Sequence, residues 1–220
     1  MGEFYAPRVK VCCIQSINEA WTAIRRGASA LGLVSEMPSG PGVISEELIA
    51  QIAKEIPPGV SAFLLTSRKD VRSIIAQQSR TRVDTLQLVD ELSKEAHEKL
   101  RLSLPGIRIV QVIHVVGDVS IDKAVSIAPH VDAILLDSGN PNLAVKELGG
   151  TGKTHDWSLS RRIRDAVTKP IFLAGGLNPS NVHDAVAQVS PFGVDVCTGV
   201  RTDGLLDENK LEQFVRHATA

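Results

Sequence analysis

No run of apolar residues in this sequence approaches the ~18 needed to cross a membrane as a helix. The N-terminus also lacks the apolar stretch that opens a secreted precursor. Charge of one sign is not in excess. With 24 basic and 25 acidic residues the net charge is −1, which gives no electrostatic footprint for a nucleic acid or an anionic membrane. Cysteine is scarce: Cys12, Cys13 and Cys197 are an odd number, two of them adjacent, and none has metal-ligand spacing. That excludes a disulfide framework and a cysteine-built metal site, and predicts reduced thiols in a cytoplasmic protein without a metal ion. There is no Pro/Gly/Ser-rich linker and no low-complexity segment, so one domain spanning 1–220 suffices.

Short apolar runs alternate with helical patterns from end to end. The strand-like runs are 9–14, 30–34, 60–66, 83–88, 107–113, 131–136, 170–174 and 192–196. They are nearly continuous in apolar residues, as parallel strands covered on both faces require. Between them the pattern predicts helices near 18–26, 45–54, 68–78, 91–101, 120–128, 157–166, 178–189 and 206–218. Cap chemistry supports several starts. Ser45 precedes Glu46 and Glu47, Ser120 precedes Ile121 and Asp122, and Asn178-Pro179 puts a proline in a first helical position.

Eight such units predict either a closed (β/α)8 TIM barrel of the α/β class or an open doubly wound sheet. No GxGxxG follows the first strand, and the glycine clusters come late, so the barrel is favoured. The clusters read GGTGKT (149–154), AGGLNP (174–179) and DVCTGVR (195–201). Loops after the last strands of a barrel commonly bind phosphate through backbone N–H groups. Gly175, Gly176, Thr198 and Gly199 stand where such a site belongs. A nucleotide P-loop is excluded, because 147–154 reads ELGGTGKT with Glu147 in place of the first glycine.

Cys12 ends the first strand and Asp137 follows AILL at the end of the sixth. Acids and bases of barrel enzymes occupy such strand ends. Strands one and six are three apart around the wall, which leaves an opening on the order of 10 Å. The competing readings are a small buried hydrophobe for Cys12 and a loop cap for Asp137. Strand alternation points Cys13 away from Cys12. His114 reads as a satisfied core histidine, His155 as a solvated loop residue, and Trp21 and Trp157 as helix–barrel packing anchors.

On these residues the chain resembles the phosphoribosylanthranilate isomerases of tryptophan biosynthesis. The segments that carry the resemblance are VKVCCIQSINEA (9–20), GASALGLV (27–34) and ILLDS (134–138). GGTGKTHDWSL (149–159), AGGLNPSNVHDAV (174–186) and PFGVDVCTGV (191–200) extend it to the C-terminal half. The resemblance implies an Amadori rearrangement of an aminoaldose phosphate by general acid–base catalysis, with no cofactor and a small phosphorylated substrate. It implies Cys12 as the base, Asp137 as the acid, and Asp195 facing the substrate amine. Gly152, Gly175, Gly176, Thr198 and Gly199 would contact the substrate. A monomer and a homodimer are both compatible.

Departures cluster at the aromatic end of that substrate. Cys13 replaces the glycine after the family's cysteine, and Gly42 stands where the second loop carries an arginine for the anthranilate carboxylate. The fourth strand ends Gln87-Leu88-Val89-Asp90 instead of QLHG, and Cys197, Thr198 and Arg201 replace the usual residues after strand eight. Arg201 is the substitute cation this sequence offers for the carboxylate. Two other readings stay open. One is a paralogue acting on a different phosphorylated sugar or amine, and the other is a non-catalytic phosphometabolite-binding barrel.

Overall fold

The structure, a computed structural model, describes residues 6–138 and 155–220. Eight strands alternate with eight helices. The strands are β1 (Arg8–Val11), β2 (Ala30–Val34), β3 (Ser61–Thr66), β4 (Thr85–Leu88), β5 (Arg108–His114), β6 (Ala133–Asp137), β7 (Ile171–Leu173) and β8 (Gly193–Val196). The helices are α1 (Ile17–Arg25), α2 (Glu46–Glu55), α3 (Val71–Thr81), α4 (Lys94–Ser103), α5 (Val119–Ile127), α6 (Trp157–Ala166), α7 (Val182–Val189) and α8 (Glu208–Ala218). Each strand pairs in parallel with the next, and β1 closes on β8 with Lys10 opposite Asp195. The chain is a closed (β/α)8 barrel. No described helix is long and apolar enough to cross a membrane.

Strand alternation divides the apolar residues into two cores. Val9, Val11, Leu31, Leu33, Leu64 and Leu86 face outward and pack under the helices. Ala30, Phe63, Leu65, Val112, Leu135 and Phe172 face inward and fill the barrel, with Phe172 set edge-on between Phe63 and Phe192. This two-sided burial explains the continuous apolar runs. Trp157 packs against the outer core, whereas Trp21 is half-buried on α1 outside that cluster.

Two predicted helix starts are corrected. Ser45 caps α2 by accepting from Leu48 N–H, as expected. Ser120 is not a cap, because α5 begins at Val119. Its hydroxyl is buried, where it donates to the His114 carbonyl and accepts from Val116 N–H. Pro179 does not open α7, which begins at Val182. Asn178 N–H donates to the Asn181 side chain, and Val182 N–H donates to the Asn178 carbonyl, so 178–181 closes into a turn of its own.

After β8 a short 3-10 turn (Thr198–Val200) leads into an unanticipated antiparallel pair, β9 (Arg201–Thr202) and β10 (Leu205–Leu206). Arg201 locks this hairpin to α1. Its guanidinium forms two 3.1 Å contacts with the Glu19 carboxylate and donates to the carbonyls of Gly204 and Cys13. Burial opposes the Glu19 charge, but the Arg201 hydrogen bonds outweigh it and lower the carboxyl's pKa. Glu19 also accepts from the N–H groups of Gln15 and Leu206. Glu19→Gln preserves shape but leaves Arg201 buried with a neutral partner. It is expected to cost about 3 kcal/mol, seen as a lower urea midpoint with an unchanged slope.

Candidate active site

Val9 and Val11 face the helices, so Lys10 and Cys12 point into the barrel. Lys10 is completely buried. Its Nζ lies 2.9 Å from Asp195 Oδ1 across the β1–β8 seam and 5.3 Å from the centre of the Phe63 ring. Burial works against the ammonium, but the Asp195 carboxylate, with Cys12 as a thiolate adding to it, outweighs burial and raises the Lys10 pKa. A fixed positive charge therefore stands beneath the mouth of the barrel.

Cys12 follows directly, its N–H donating to the Val196 carbonyl at 2.8 Å. Gly32 on β2 makes room for it. A methyl group at position 32 would sit 2.8 Å from Cys12 Sγ and 3.1 Å from Lys10 Nζ. The Cys12 pKa is lowered, chiefly by the adjoining Cys13 thiol. The Lys10 charge adds to this effect, and burial and Asp195 oppose it. A thiolate at position 12 is accordingly favoured over an ordinary cysteine's.

Cys13 corrects the expectation of alternation. Its φ is +62°, in the left-handed region, so its side chain lines the same cavity as Cys12. Its thiol donates to the Pro41 carbonyl at 3.5 Å, and the neighbouring Cys12 and Cys197, with burial added, raise its pKa and keep it a thiol. Gly42 is the other half of this arrangement. With φ +77°, it approaches so closely that a Cβ there would lie 2.5 Å from Cys13 Cβ. The left-handed backbone and the 2.9 Å approach to Cys13 Cα bar a side chain at the position of the missing arginine, whatever residue stands at 13.

Asp137, at the end of β6, lines this cavity too. Burial pushes its pKa up to about 6, and the negative Asp195 helps. The 2.7 Å hydrogen bond from Ser138 N–H and the Lys10 charge pull the other way. A thiolate-forming group and a carboxyl poised near neutrality thus share one enclosure. The pairing suits proton exchange with a substrate held between them.

The glycine loops complete the rim. Gly175 (φ +83°) packs so tightly that a Cβ would sit 2.9 Å from Ser138, and a Cβ on Gly199 would overlap the Leu177 carbonyl oxygen. The carbonyl of Gly176 accepts from the side-chain amides of Asn178 and Asn181, fixing the turn. Gly175, Gly176 and Thr198 border the same cavity as Cys12, Asp137 and Asp195.

Arg201 does not join them. Its guanidinium is committed to Glu19, Gly204 and Cys13, so it is a strut under the site and not a substitute for the loop arginine. Gly152 and the rest of GGTGKT (149–154) lie outside the described residues. His114 borders a neighbouring cavity with Asp90 and Lys123, and burial lowers its pKa. His155 is half-buried, not a fully solvated loop residue. Its Nε2 lies 2.6 Å from Ser160 Oγ, and burial lowers its pKa to about 4. The sequence alone assigned no role to Lys10 or Gly32. The available signal was parity, because Lys10 shares a strand face with Cys12.

A family model described as N-(5'-phosphoribosyl)anthranilate (PRA) isomerase matches residues 9–217. N-(5'-phosphoribosyl)anthranilate isomerase 2 of Methanosarcina mazei is 37% identical over 213 residues, covering 96% of this chain and 93% of that protein. The crystal structure of phosphoribosyl anthranilate isomerase from Thermotoga maritima, a dimeric protein, superimposes with a TM-score of 0.83 at 31% identity. It covers 96% of this chain and 98% of that one. A phosphoribosyl anthranilate isomerase in complex with reduced 1-(o-carboxyphenylamino)-1-deoxyribulose 5-phosphate matches with a TM-score of 0.80 at 29% identity, over 96% and 98% of the two chains.

The raised Asp137 pKa has a thermodynamic signature. Because the folded value exceeds the ordinary 3.8, folding is unpenalised below about pH 4 and loses stability as pH rises to about 6. Asp137→Asn removes this penalty and is expected to stabilise the fold at pH 8 by up to about 3 kcal/mol. Urea unfolding at pH 4 and pH 8 checks it, since the gain should disappear at the lower pH. A difference independent of pH would contradict the assigned burial.

Proposed function

The chain belongs to the N-(5'-phosphoribosyl)anthranilate isomerase family, and from that premise we propose which of its residues carry the reaction. The reaction is the Amadori rearrangement of N-(5'-phosphoribosyl)anthranilate to 1-(2-carboxyphenylamino)-1-deoxyribulose 5-phosphate, a step of tryptophan biosynthesis. The observation behind the assignment is that Cys12, Asp137, Asp195 and the two glycine loops border a single cavity.

Protonated Asp137 donates to the furanose ring oxygen, and the C–O bond breaks as the anilino nitrogen's lone pair forms the iminium. The Cys12 thiolate then removes the C2′ proton, and the electron pair flows to the iminium nitrogen, giving an enolamine. Tautomerisation delivers the ketose. The iminium serves as electron sink, so the chemistry calls for no metal or organic cofactor. Asp195, held by Lys10, faces the substrate amine. Backbone N–H groups around Gly175–Gly176 and Thr198–Gly199 hold the phosphate, and Gly152 is assigned to substrate binding without a specific contact.

Cys12 and Asp137 together give the cavity an acid–base pair that a binding barrel would not use, and the family match favours anthranilate over another amine. We further infer that the chain works as one domain over 1–220, in the cytoplasm, as a monomer or homodimer, without nucleic acid or membrane partners.

Loss of the substrate's fluorescence reports turnover. Cys12→Ala is expected to lower kcat by roughly 10²–10⁴ with the melting temperature nearly unchanged. Near-wild-type turnover in this variant would remove Cys12 from the mechanism. The pH profile tests the acid. Asp137 must be protonated to act, so kcat/KM should fall as pH rises through about 6. An alkaline limb set only by a group near pH 9 would count against it.

A further inference from the structure

The reaction assigned above draws on one thiol, yet Cys12, Cys13 and Cys197 all border the same cavity. All three are free thiols, and Cys197 is half-buried, packed against the inner core that contains the other two.

The seam between β1 and β8 decides which pair can meet. Its register sets Lys10 opposite Asp195 and Val11 opposite Val196, and the Cys12 N–H continues the ladder to the Val196 carbonyl. One step further along that ladder, Cys12 stands beside Cys197. Lys10 and Asp195 meet at 2.9 Å inside the barrel, and two residues on, Cys12 and Cys197 fall on the same inner face. Neighbouring strands lie about 4.8 Å apart, inside the roughly 4.4–6.8 Å between Cα atoms that a disulfide spans. Cys12 and Cys13 do not meet that condition, because consecutive Cα atoms across a trans peptide are only about 3.8 Å apart. The Cys13 thiol is also engaged with the Pro41 carbonyl. Reactivity is unequal as well. Cys12 is the thiol pushed toward its thiolate, by Cys13 and by Lys10, and the thiolate is the form that peroxides oxidise.

We propose that Cys12 and Cys197 form a reversible modification site for hydroperoxides, closing into a disulfide that removes Cys12 from the reaction until a thiol reductant reopens it. The Cys12 sulfur attacks one peroxide oxygen. An S–O bond forms, the O–O bond breaks, and the hydroxide released takes up the proton that the thiol had given up. Cys12 is then a sulfenic acid. The Cys197 sulfur attacks it, the S–S bond forms as the S–O bond breaks, and the departing hydroxide leaves as water with the Cys197 proton. Two thiols and one peroxide thus become one disulfide and two waters. Without Cys197 the sulfenic acid stays open to a second peroxide and passes to the irreversible sulfinic acid. The chemical step stands on the geometry, and only its effect on turnover rests on the isomerase reading.

The test exposes the full, reduced chain to hydrogen peroxide and stops the reaction with catalase. Intact mass is expected to fall by about 2 Da, the two thiol hydrogens, with fragment-ion mapping joining Cys12 to Cys197. Turnover of N-(5'-phosphoribosyl)anthranilate should drop at least roughly ten-fold and return with dithiothreitol. Cys197→Ser should instead gain about 16 Da and then about 32 Da at Cys12, and after the same exposure dithiothreitol should restore roughly ten-fold less activity than in wild type. Cys197→Ala carries the same comparison if the serine variant does not fold. A wild type that gains oxygen irreversibly without losing hydrogens would overturn the site, as would a bridge to Cys13 or a bridged chain that still turns over. A Cys197→Ser variant that recovers as wild type does would also overturn it. If the bridge forms as mapped but the untreated chain does not isomerise its substrate, the isomerase reading falls and the dithiol site stands.

Discussion

A single buried ion pair, Lys10 with Asp195, organises the mouth of this barrel. It stitches β1 to β8 at the closing seam, and it sets the charge that the neighbouring groups respond to. The ammonium favours a thiolate at Cys12 and moderates the rise of the Asp137 pKa, while the Asp195 carboxylate pushes in the opposite sense on both. A buried pair of this kind seldom adds much net stability compared with apolar residues of the same shape, yet removing one member exposes the other's desolvation cost. Its value is local. It holds charge in a place where water would otherwise screen it.

Charges nearer the rim are used differently. Arg201 and Glu19 tie the β9–β10 hairpin to α1, and Arg201 reaches through to the carbonyl of Cys13. The backbone that carries the left-handed Cys13 is thereby braced from below. The groups we assign to the reaction stand on strand ends, and the loops we propose to hold the phosphate are interlocked by the approach of Gly199 to Leu177. Preorganised groups of this sort lose little freedom when a ligand arrives.

The barrel was legible because burial on both faces makes each strand a continuous apolar run, and because the glycine clusters fall after the last strands. Cys12 and Asp137 were legible as polar residues at strand ends. Lys10 was not read, although its i, i+2 relation to Cys12 places both on the inner face. It was masked by a neighbourhood that reads as ordinary strand. The fate of Arg201 depended on Glu19, 182 residues away, which no local pattern reveals. Cys13 defeated the alternation rule because a non-glycine residue with positive φ leaves no mark in composition. The start of α7 was misplaced because Asn178 and Asn181 bond to each other's backbone and side chain before the helix begins.

The close fit of Cys13 against Gly42 also couples the second loop to the first strand through backbone. A Cβ at 42 would meet the Cα of Cys13 at 2.9 Å as well as its Cβ at 2.5 Å, and the chain there is left-handed, so glycine is required at 42 whatever side chain stands at 13. Trimming Cys13 would therefore widen the cavity without making room for a side chain on the loop. The mouth of the barrel can change its volume from the strand side, but the loop can contribute only its main chain at this point.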